Sequence, residues 1–396
     1  MKATISRLLG LVTTFALVTA VLSNTAGAGN VRDRDRGQLP KKKIVTRNIA
    51  PGLTFTKIIQ KKIPLRTYIL TADVKNQPLT MDVALAGAAM PTRTQTSRIA
   101  KRNGAIAAVN GDFGTFSGGP AHPFEQDGQL VRSSTTPGFL FAASKDEQQL
   151  FVAPPKQFVS MTLPDGTVLP IDRWNDGGPG TGEITASTPF GGSLEPPPPG
   201  SCSARLLPSG TPVPSTTGDG MQQDFTVNET GCFESGMLRN GGAVLSAIPA
   251  SDEALQLLSL VPGTAVTLRW TFGWPNVYDA IGGVPQLVAD GRSVVGTCTA
   301  SVCRRNPRTG VGITADGKVL LVVVDGRQKK FSIGLTLNQF AWLFKRLGAV
   351  SALNLDGGGS STMVIKGEVV NRPSSGFERR VTNALLVLPG PDPEEP

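Results

Sequence analysis

The sequence predicts an α+β protein: a single β-rich domain with a mixed sheet at its core, few helices, and active-site loops at the ends of strands. Short apolar runs recur along the chain, separated by glycine, proline, asparagine and aspartate. Both the length of these runs and the residues that bound them are typical of strands. Apolar residues at helical spacing are confined to two segments. No solenoid-type repeat is visible. The fold class therefore depends on many short strands and two helices.

The two ends of the chain are expected to lie outside this domain. Residues 1–28 have a basic start, an apolar middle and small residues at a cleavage position near Ala28, the pattern of a secretory signal peptide. Residues 29–43 form a charged lead-in that we expect to be flexible, and residues 389–396 a proline-rich tail that we expect to be disordered. No later stretch reaches the roughly 20 apolar residues of a membrane span. We therefore predict a secreted protein of the extracellular space or cell envelope, without integral membrane association, whose domain covers residues 44–388.

Strand-like runs and helical segments follow in order through the domain. The first helix is predicted at Thr94–Asn103, ended by Gly104, and the second at Leu335–Leu347, ended by Gly348. Strands are predicted at residues 68–74, 80–85, 105–109, 129–132, 138–143, 265–270, 319–325, 363–365, 368–371 and 383–388.

The middle of the domain contains a hairpin and an insertion. Phe158–Ile171 predicts two strands joined by a turn at Pro164-Asp165-Gly166. Between Asn175 and Gly220 the composition shifts to glycine, proline, serine and threonine. We interpret residues 175–220 as an irregular insertion within the domain.

Few cysteines and a single histidine limit the chemistry. The cysteines pair most simply as Cys202–Cys232 and Cys298–Cys303, two disulfides suited to an oxidising compartment. Classes of enzyme that need a catalytic histidine would depend on His122, which we interpret as a structural, hydrogen-bonded residue. Histidine-rich metal sites are excluded. Carboxylates, arginines, hydroxyls and backbone amides remain as the reactive groups.

The charge balance favours an anionic partner. The formal charge of +9 falls to +7 without the two basic residues of the signal peptide. A phosphorylated or otherwise anionic glycan fits this charge. The basic residues are dispersed and no recognition module is present, so nucleic acid is not predicted as a partner. The oligomeric state is left open.

Polar groups follow the ends of several predicted strands. The most distinctive group is the loop after residues 350–353, where Asp356 is followed by three glycines and two serines that can let a backbone approach an anion. Because polar groups at strand ends collect at the rim of a sheet, we expect these groups to meet in one cleft. The others are Asn110/Asp112, Arg308/Thr309, Asp325/Arg327, Asn371 and Glu378/Arg379.

In this order, the motifs resemble those of the phosphodiester glycosidase family, whose bacterial members are often labelled exopolysaccharide biosynthesis proteins. The resemblance covers roughly residues 105–388. One departure is Gly114, where family members often carry a second aromatic residue. The matching motifs are Val109-Asn110-Gly111-Asp112-Phe113, Gly119-Pro120, Asn306-Pro307-Arg308-Thr309, Val324-Asp325-Gly326-Arg327, Asn354-Leu355-Asp356-Gly357-Gly358-Gly359-Ser360-Ser361, Asn371-Arg372-Pro373-Ser374 and Glu378-Arg379.

The resemblance implies a secreted hydrolase that cleaves the glycosidic bond of a sugar-1-phosphodiester, derived from the cell envelope or from a polysaccharide. Asp356 or Asp112 would face the anomeric carbon as nucleophile or water-activating base, with Glu378 as the other acid/base candidate. Arg308 and Arg379 would bind the phosphate. The other predicted substrate- or phosphate-binding residues are Asn110, Thr309, Asp325, Arg327, Asn354, Gly357, Gly358, Gly359, Ser360, Ser361 and Asn371.

Two other functions remain open at this point. The chain could be a non-catalytic cell-wall glycan-binding protein that uses Trp270, Trp274 and Trp342 as stacking surfaces, or a glycosidase acting on neutral exopolysaccharide. The predicted chemistry requires no cofactor. A divalent cation is left open, because Asp112, Asp325 and Asp356 carry hard oxygen ligands, although their spacing matches no known calcium loop.

Overall fold

Antiparallel strands form most of the regular secondary structure of the described residues. The structure is a computed structural model that describes residues 42–192, 198–233, 242–297 and 300–390, all within one unit, Pro40–Pro396. The predicted signal peptide, residues 29–41 of the lead-in and residues 391–396 of the tail lie outside the described residues. The lead-in prediction is wrong at its end, because the first strand begins at Lys42.

Strands and helices alternate irregularly along the chain. The described helices are α1 (Thr96–Arg102), α2 (Asp252–Leu258) and α3 (Leu337–Arg346), with short 3-10 turns at Pro189–Gly191, Ser301–Cys303 and Gly358–Ser360. The described strands are β1 (Lys42–Ala50), β2 (Leu53–Gln60), β3 (Leu65–Ala72), β4 (Leu79–Leu85), β5 (Thr94–Gln95), β6 (Ala107–Asn110), β7 (Phe124–Gln126), β8 (Gln129–Arg132), β9 (Phe139–Ser144), β10 (Leu150–Ala153), β11 (Phe158–Thr162), β12 (Val168–Pro170), β13 (Arg173–Trp174), β14 (Thr185–Ser187), β15 (Cys202–Pro208), β16 (Val213–Pro214), β17 (Met221–Cys232), β18 (Ala243–Ala247), β19 (Ala265–Thr271), β20 (Val277–Gly283), β21 (Gln286–Ala289), β22 (Arg292–Ser293), β23 (Arg308–Thr314), β24 (Val319–Val324), β25 (Ala349–Asn354), β26 (Met363–Ile365), β27 (Glu368–Val369), β28 (Arg380–Val381) and β29 (Asn383–Pro389).

These strands form five sheets. The largest has the order β12-β11-β19-β17-β15-β18-β14-β13, with β16 added beside β17, and an eight-stranded sheet has the order β1-β2-β3-β24-β23-β25-β21-β22. Two five-stranded sheets run β10-β9-β20-β7-β8 and β27-β26-β6-β29-β4, and β28 pairs with β5. Only β13 and β14 pair in parallel among the described strands, which makes the nine-stranded sheet mixed. The predicted β-rich α+β class is confirmed.

Strand β24, in the middle of the eight-stranded sheet, is buried on both faces. Val319, Leu321 and Val323 of β24 contribute to a core shared with the five-stranded sheets. The alternate residues of the same strand pack with Phe340 and Phe344 of α3 on the opposite face. A strand buried on both sides requires a continuous apolar run, which is why this segment has no polar positions.

Helix α3 confirms the second predicted helix and fixes the strand that leads to Asp356. Thr336 and Gln339 form a capping box at its start. On β23, a side chain at Gly310 would approach the Phe340 ring within 2.9 Å, and one at Gly312 would approach the Phe344 ring within 2.8 Å. The two glycines therefore allow the helix to lie close against the sheet, beside β25.

The predicted irregular insertion is wrong. Residues 175–220 contain β14, β15 and β16, all of which belong to the nine-stranded sheet. The Cys202–Cys232 disulfide is present and links residues paired across β15 and β17. Cys303 is also disulfide-bonded, while its predicted partner Cys298 lies outside the described residues. The described part of the chain contains no helix of the length and apolarity needed to span a membrane.

Several carboxylates are buried without a cationic partner among the described ion pairs. Burial raises the pKa of Glu125 to about 8 and that of Glu147 to about 8, and it raises the pKa of Asp82 to about 7. The Glu125 carboxylate accepts a hydrogen bond of 2.9 Å from the Trp270 indole. Since the folded-state pKa of each glutamate lies above the unfolded value, both glutamates hold their protons in the folded protein at neutral pH, whereas Asp82 titrates near neutral pH. The stability contribution of the glutamates is complete below about pH 4.5 and is lost as the pH rises through about 8.

Glu125→Gln should therefore weaken the pH dependence of stability. Glutamine keeps an acceptor for the Trp270 indole but never ionises, so we expect the variant to unfold with a free energy higher than wild type by about 2–4 kcal/mol at pH 8.5 and similar to wild type at pH 4.5. Urea unfolding at both pH values measures this difference. Glu368→Gln, at an exposed position, is the matched control. An unchanged pH dependence in Glu125→Gln would contradict the prediction.

Candidate active site

The Asp356 loop is held between the end of β6 and the start of β23. It begins where β25 ends, at Asn354. The Leu355 amide donates to the Thr309 carbonyl at 2.9 Å, and the Asp356 amide donates to the Gly111 carbonyl at 3.0 Å. Three segments that are distant in sequence therefore meet at this loop, as the strand-end pattern predicts.

Asn110 connects these three segments. Its side-chain amide donates to the Asp356 carbonyl at 2.7 Å. Its oxygen accepts from the Thr309 hydroxyl at 2.8 Å and from the Thr362 amide at 3.0 Å. Asn110 and Thr309 are fully buried and bonded to each other, and their predicted contact with substrate stays a prediction. They position the Asp356 loop.

Asp325 and Asn371 have a similar positioning role on the other side of the loop. The Asp325 carboxylate accepts from the Tyr68 hydroxyl at 2.8 Å, the Asn371 side chain at 3.0 Å and the Arg372 amide at 3.0 Å. Burial raises the pKa of Asp325 above its usual range, against these hydrogen bonds. Asn371 in turn accepts from the Met363 amide at 2.8 Å. Both side chains are buried and paired within the protein, and their predicted role as substrate ligands stays a prediction.

Asp112 is paired with the single histidine. One carboxylate oxygen lies 2.7 Å from His122 Nδ1 and accepts from the Phe113 amide at 2.6 Å, while the other accepts from the His122 amide at 2.9 Å. The Asp112 side chain has no exposed surface. Its predicted role at the anomeric carbon stays a prediction, and the interpretation of His122 as a hydrogen-bonded structural residue fits this pairing.

Glu378 faces away from the site. Its carboxylate accepts from the amide and hydroxyl of Ser97, at 2.7 and 2.6 Å. Ser97 lies in the first turn of α1, where exposed amides favour a negative charge. The role of Glu378 as an acid/base group therefore stays a prediction, with its carboxylate bonded to α1 in this structure. Its neighbour Arg379 faces the opposite way and reaches the Asp356 loop.

A cavity of about 580 Å³ opens at the Asp356 loop. Five arginines and a single carboxylate line it, so its electrostatic character is strongly positive. Its described lining comprises Phe113, Ser301, Val302, Arg304, Arg305, Asn306, Arg308, Arg327, Asn354, Asp356, Gly357, Gly358, Gly359 and Arg379.

Asp356 is the carboxylate of this cavity. Burial raises its pKa above the usual value, and hydrogen bonds from the Ser360 hydroxyl and the Gly357 amide oppose that rise. The Arg379 charge also lowers the pKa, whereas the nearby Asp112 carboxylate raises it. The result is a half-buried carboxylate beside a cation. The carboxylates of Asp112 and Asp325 are bonded to protein donors, and a divalent cation at these three aspartates stays a prediction.

The glycines of the loop allow two arginines to lie directly on its backbone. A side chain at Gly359 would come within 2.4 Å of Arg379 Cδ, and one at Gly358 within 3.1 Å of an Arg327 nitrogen. Gly358 also has a φ of +61°, which disfavours other residues. The glycines thus place guanidinium groups next to Asp356.

Four of the five amides predicted to bind phosphate donate to acceptors within the protein. The amides of Gly358, Ser360 and Ser361 donate to the carbonyls of Pro307, Gly357 and Gly358, and the Gly357 amide donates to the Asp356 side chain. These four amides are therefore occupied by the loop and by Pro307. The arginine side chains supply most of the donors that face an anion in this cavity.

Arg308 is the least available of these arginines. It is buried, and its Nε and Nη2 donate to the carbonyls of Leu335, Val302 and Arg304 at 3.0, 2.7 and 2.7 Å. Burial and the nearby Arg327 charge lower its pKa to about 10, so it remains charged at neutral pH. Arg308 contributes charge to the cavity wall and fixes the segment after Ser301.

The segment that contains Arg304 and Arg305 was not predicted from the sequence as part of the site. Arg304 and Arg305 are exposed and line the cavity, and Asn306 accepts from Arg327 Nε at 3.0 Å. A sequence signal was present, because two arginines directly follow a cysteine and precede the Asn306-Pro307 motif. A disulfide-bonded basic segment next to a site motif is a reasonable candidate for anion binding.

Comparison with known proteins connects this site to one family. Residues 215–388 match the model of the phosphodiester glycosidase family, which confirms the predicted resemblance. The chain is 27% identical over 137 residues to the N-acetylglucosamine-1-phosphodiester alpha-N-acetylglucosaminidase of Mus musculus, covering 35% of this chain and 26% of that protein. It is 36% identical over 91 residues to the SPbeta prophage-derived uncharacterized protein YomE of Bacillus subtilis, covering 23% and 14%. The aligned segments thus span about a quarter or less of either relative.

A solved structure shares the fold over nearly all of its length. The putative exported protein from Burkholderia pseudomallei superimposes with a TM-score of 0.64 at 19% identity, covering 89% of this chain and 97% of that chain. This similarity extends over the strands that precede residue 215 as well. The strands that hold Asp356 therefore lie within the regions covered by the family match or by the superposition.

Proposed function

We propose, starting from the match to the phosphodiester glycosidase family, that this protein hydrolyses the glycosidic bond of a sugar-1-phosphodiester. The observation that carries the proposal is the cavity in which five arginines surround Asp356. A cluster of guanidinium groups binds phosphate oxygens through charge-assisted hydrogen bonds. A carboxylate beside that cluster is suited to act at the carbon to which the phosphate is attached.

A single carboxylate is sufficient for this reaction. Glycosidases that expel an alkoxide need two carboxyl groups, one of which protonates the leaving oxygen. A phosphate monoester leaves as a stable anion, so the arginines can stabilise the leaving group without a proton donor. The positions of Asp112 and Glu378, each bonded elsewhere, are consistent with a reaction that does not use them.

The remaining groups of the cavity have separate tasks. Arg379 and Arg327, which lie on the glycine backbone, would bind the phosphate close to Asp356. Asn354 would bind a sugar hydroxyl: its side-chain oxygen is buried without a partner among the described residues, while its nitrogen donates to the Val284 carbonyl at 2.8 Å. Asp356 would attack the anomeric carbon or activate the water that does so. Either role requires its ionised form.

Hydrolysis of matched substrates tests the proposal. Purified protein should release sugar from a methyl phosphodiester of N-acetylglucosamine 1-phosphate. It should act far more slowly on the methyl glycoside of the same sugar, because that substrate offers the arginines no phosphate. Equal rates on the two compounds would favour a neutral glycosidase. Absence of turnover on a panel of sugar phosphodiesters would reject the proposal.

The acid limb of the pH–rate profile should reflect the ionisation of the Asp356 carboxylate. Burial raises the pKa of this carboxylate above 3.8, and only the ionised form is active. We therefore expect kcat/KM to rise with pH through an apparent pKa above 3.8 and then to level off. Initial rates between pH 3 and pH 8 measure it. A profile that falls over this range as the pH rises would mean that the protonated carboxyl is the active form.

We also propose that the reaction requires no cofactor and takes place outside the cytoplasm. The arginines supply the positive charge that the departing phosphate needs, and unchanged rates after treatment with a chelator would support this. Secretion is supported by the signal-like residues 1–28 and by the Cys202–Cys232 disulfide. Amino-terminal sequencing of the exported protein tests the cleavage position near Ala28.

A further inference from the structure

A second cavity, of about 260 Å³, lies against the nine-stranded sheet. It shares no described lining residue with the Asp356 cavity. Its walls are mainly aromatic and aliphatic, and they include Trp174, Trp270, Phe190 and Phe225. No charged side chain is among its described lining residues. This cavity is therefore suited to an uncharged ligand.

Trp174, in the wall of this cavity, has an unpaired hydrogen-bond donor. Trp174 is 4% exposed, and its buried indole nitrogen has no acceptor among the described residues. The indole of Trp270, in contrast, donates to Glu125 at 2.9 Å. A buried donor without a partner destabilises the fold. A ligand whose oxygen reaches the Trp174 nitrogen would remove this destabilisation.

We propose that the cavity binds one uncharged sugar unit of a glycan. The rings of Trp174 and Trp270 pack on each other with centroids 6.0 Å apart and form one apolar wall of the cavity for the C–H face of a pyranose. Gln129 and the side-chain oxygen of Gln223 add polar groups for its hydroxyls, while the Gln223 nitrogen donates to Gly210 and the Thr188 oxygen accepts from Asn175. The volume is below the usual range of ligand pockets, so a single sugar fits better than a chain.

The location of the tryptophans corrects the surface predicted from sequence. Trp270 is buried and lines this cavity. Trp274 stacks on Phe151, with ring centroids 5.1 Å apart, and Trp342 is exposed on α3. The three tryptophans do not form one stacking surface. The glycan site proposed here depends on Trp270 together with Trp174.

Sugar titrations of the full chain test the proposal. The protein carrying Trp342→Phe, which lacks the exposed indole, is titrated with N-acetylglucosamine, glucose and galactose while tryptophan fluorescence is recorded. We expect saturable binding of at least one sugar, with a Kd on the order of 1 mM. Trp174→Phe in the same background keeps an aromatic ring but removes the donor, so the affinity should fall about 3- to 10-fold. Trp274→Phe is the matched control and should bind as its parent does.

A second variant and a second readout keep the test independent of folding and of catalysis. Gln223→Ala, at a half-buried position, should also weaken sugar binding. Both Trp174→Phe and Gln223→Ala should hydrolyse a small sugar phosphodiester at the wild-type rate. No saturation with any sugar, or equal affinity in Trp174→Phe, would overturn the proposal and mean that only water occupies the cavity. Neither outcome would affect the function proposed for the Asp356 cavity.

Discussion

Replacing Asp356 by asparagine is expected to lower kcat/KM for a sugar phosphodiester by about 10³-fold, within the range typical of lost acid–base or nucleophilic groups. Asparagine has nearly the same shape and can still accept a hydrogen bond from Ser360. The backbone bonds that fix the loop, from the Asp356 amide to Gly111 and from Asn110 to the Asp356 carbonyl, do not involve the side chain. The loss should therefore be chemical and not structural.

Rates under single-turnover conditions and thermal unfolding measure the two effects separately. The variant should unfold at a temperature equal to or above that of wild type, since a carboxylate that is costly to bury has been removed. Asp316→Asn, at an exposed turn, is the control and should keep full activity. Wild-type turnover by Asp356→Asn would show that another group performs the chemistry.

Replacing Arg379 by glutamine should have the second largest effect. We expect kcat/KM for the phosphodiester to fall about 100-fold, because the guanidinium lies beside Asp356 and would stabilise the charge of the departing phosphate. Since the Arg379 charge lowers the pKa of Asp356, the acid limb of the pH–rate profile should also move to higher pH. A purely structural role would not produce that shift.

The adjacent Arg380 provides a matched control for this variant. Arg380 is exposed on β28 and is absent from the described lining of the cavity. Arg380→Gln should therefore leave both the rate and the pH profile unchanged. Equal losses in the two variants would indicate a general effect of positive charge on the approach of the substrate. Such a result would remove Arg379 from its proposed contact with phosphate.

Local patterns were sufficient to predict much of the fold. The apolar spacing of α3, the unbroken run of β24 and the turn at Gly166 are each determined by residues close in sequence. Helix α2 was missed, although Ser251 caps it and acidic residues occupy its first turn. The strands within residues 175–220 were also missed, because they pair with β17 and β18, which lie later in the chain, and because their own composition resembles that of loops.

The sequence predicted the location of the candidate site more accurately than the orientation of its side chains. Sequence motifs identified the segments that meet at Asp356, because polar groups at strand ends gather at one rim. The same motifs did not predict the direction in which each side chain points. Glu378 and Arg379 are neighbours, yet one bonds to α1 and the other reaches the cavity. Whether a buried polar group binds substrate or positions a loop depends on partners hundreds of residues away, as Asn110 shows with Asp356 and Thr309.

The position of bond cleavage tests the central claim most directly. Hydrolysis of a sugar-1-phosphodiester in ¹⁸O-labelled water places the label in the sugar if the bond between the anomeric carbon and oxygen breaks. It places the label in the phosphate if the phosphorus–oxygen bond breaks. In our proposal the Asp356 carboxylate acts at the anomeric carbon and the arginines hold the phosphate as the leaving group. We therefore expect mass spectrometry to find the label in the sugar. Label in the released phosphate ester would contradict this account and assign the cavity to phosphodiester cleavage at phosphorus.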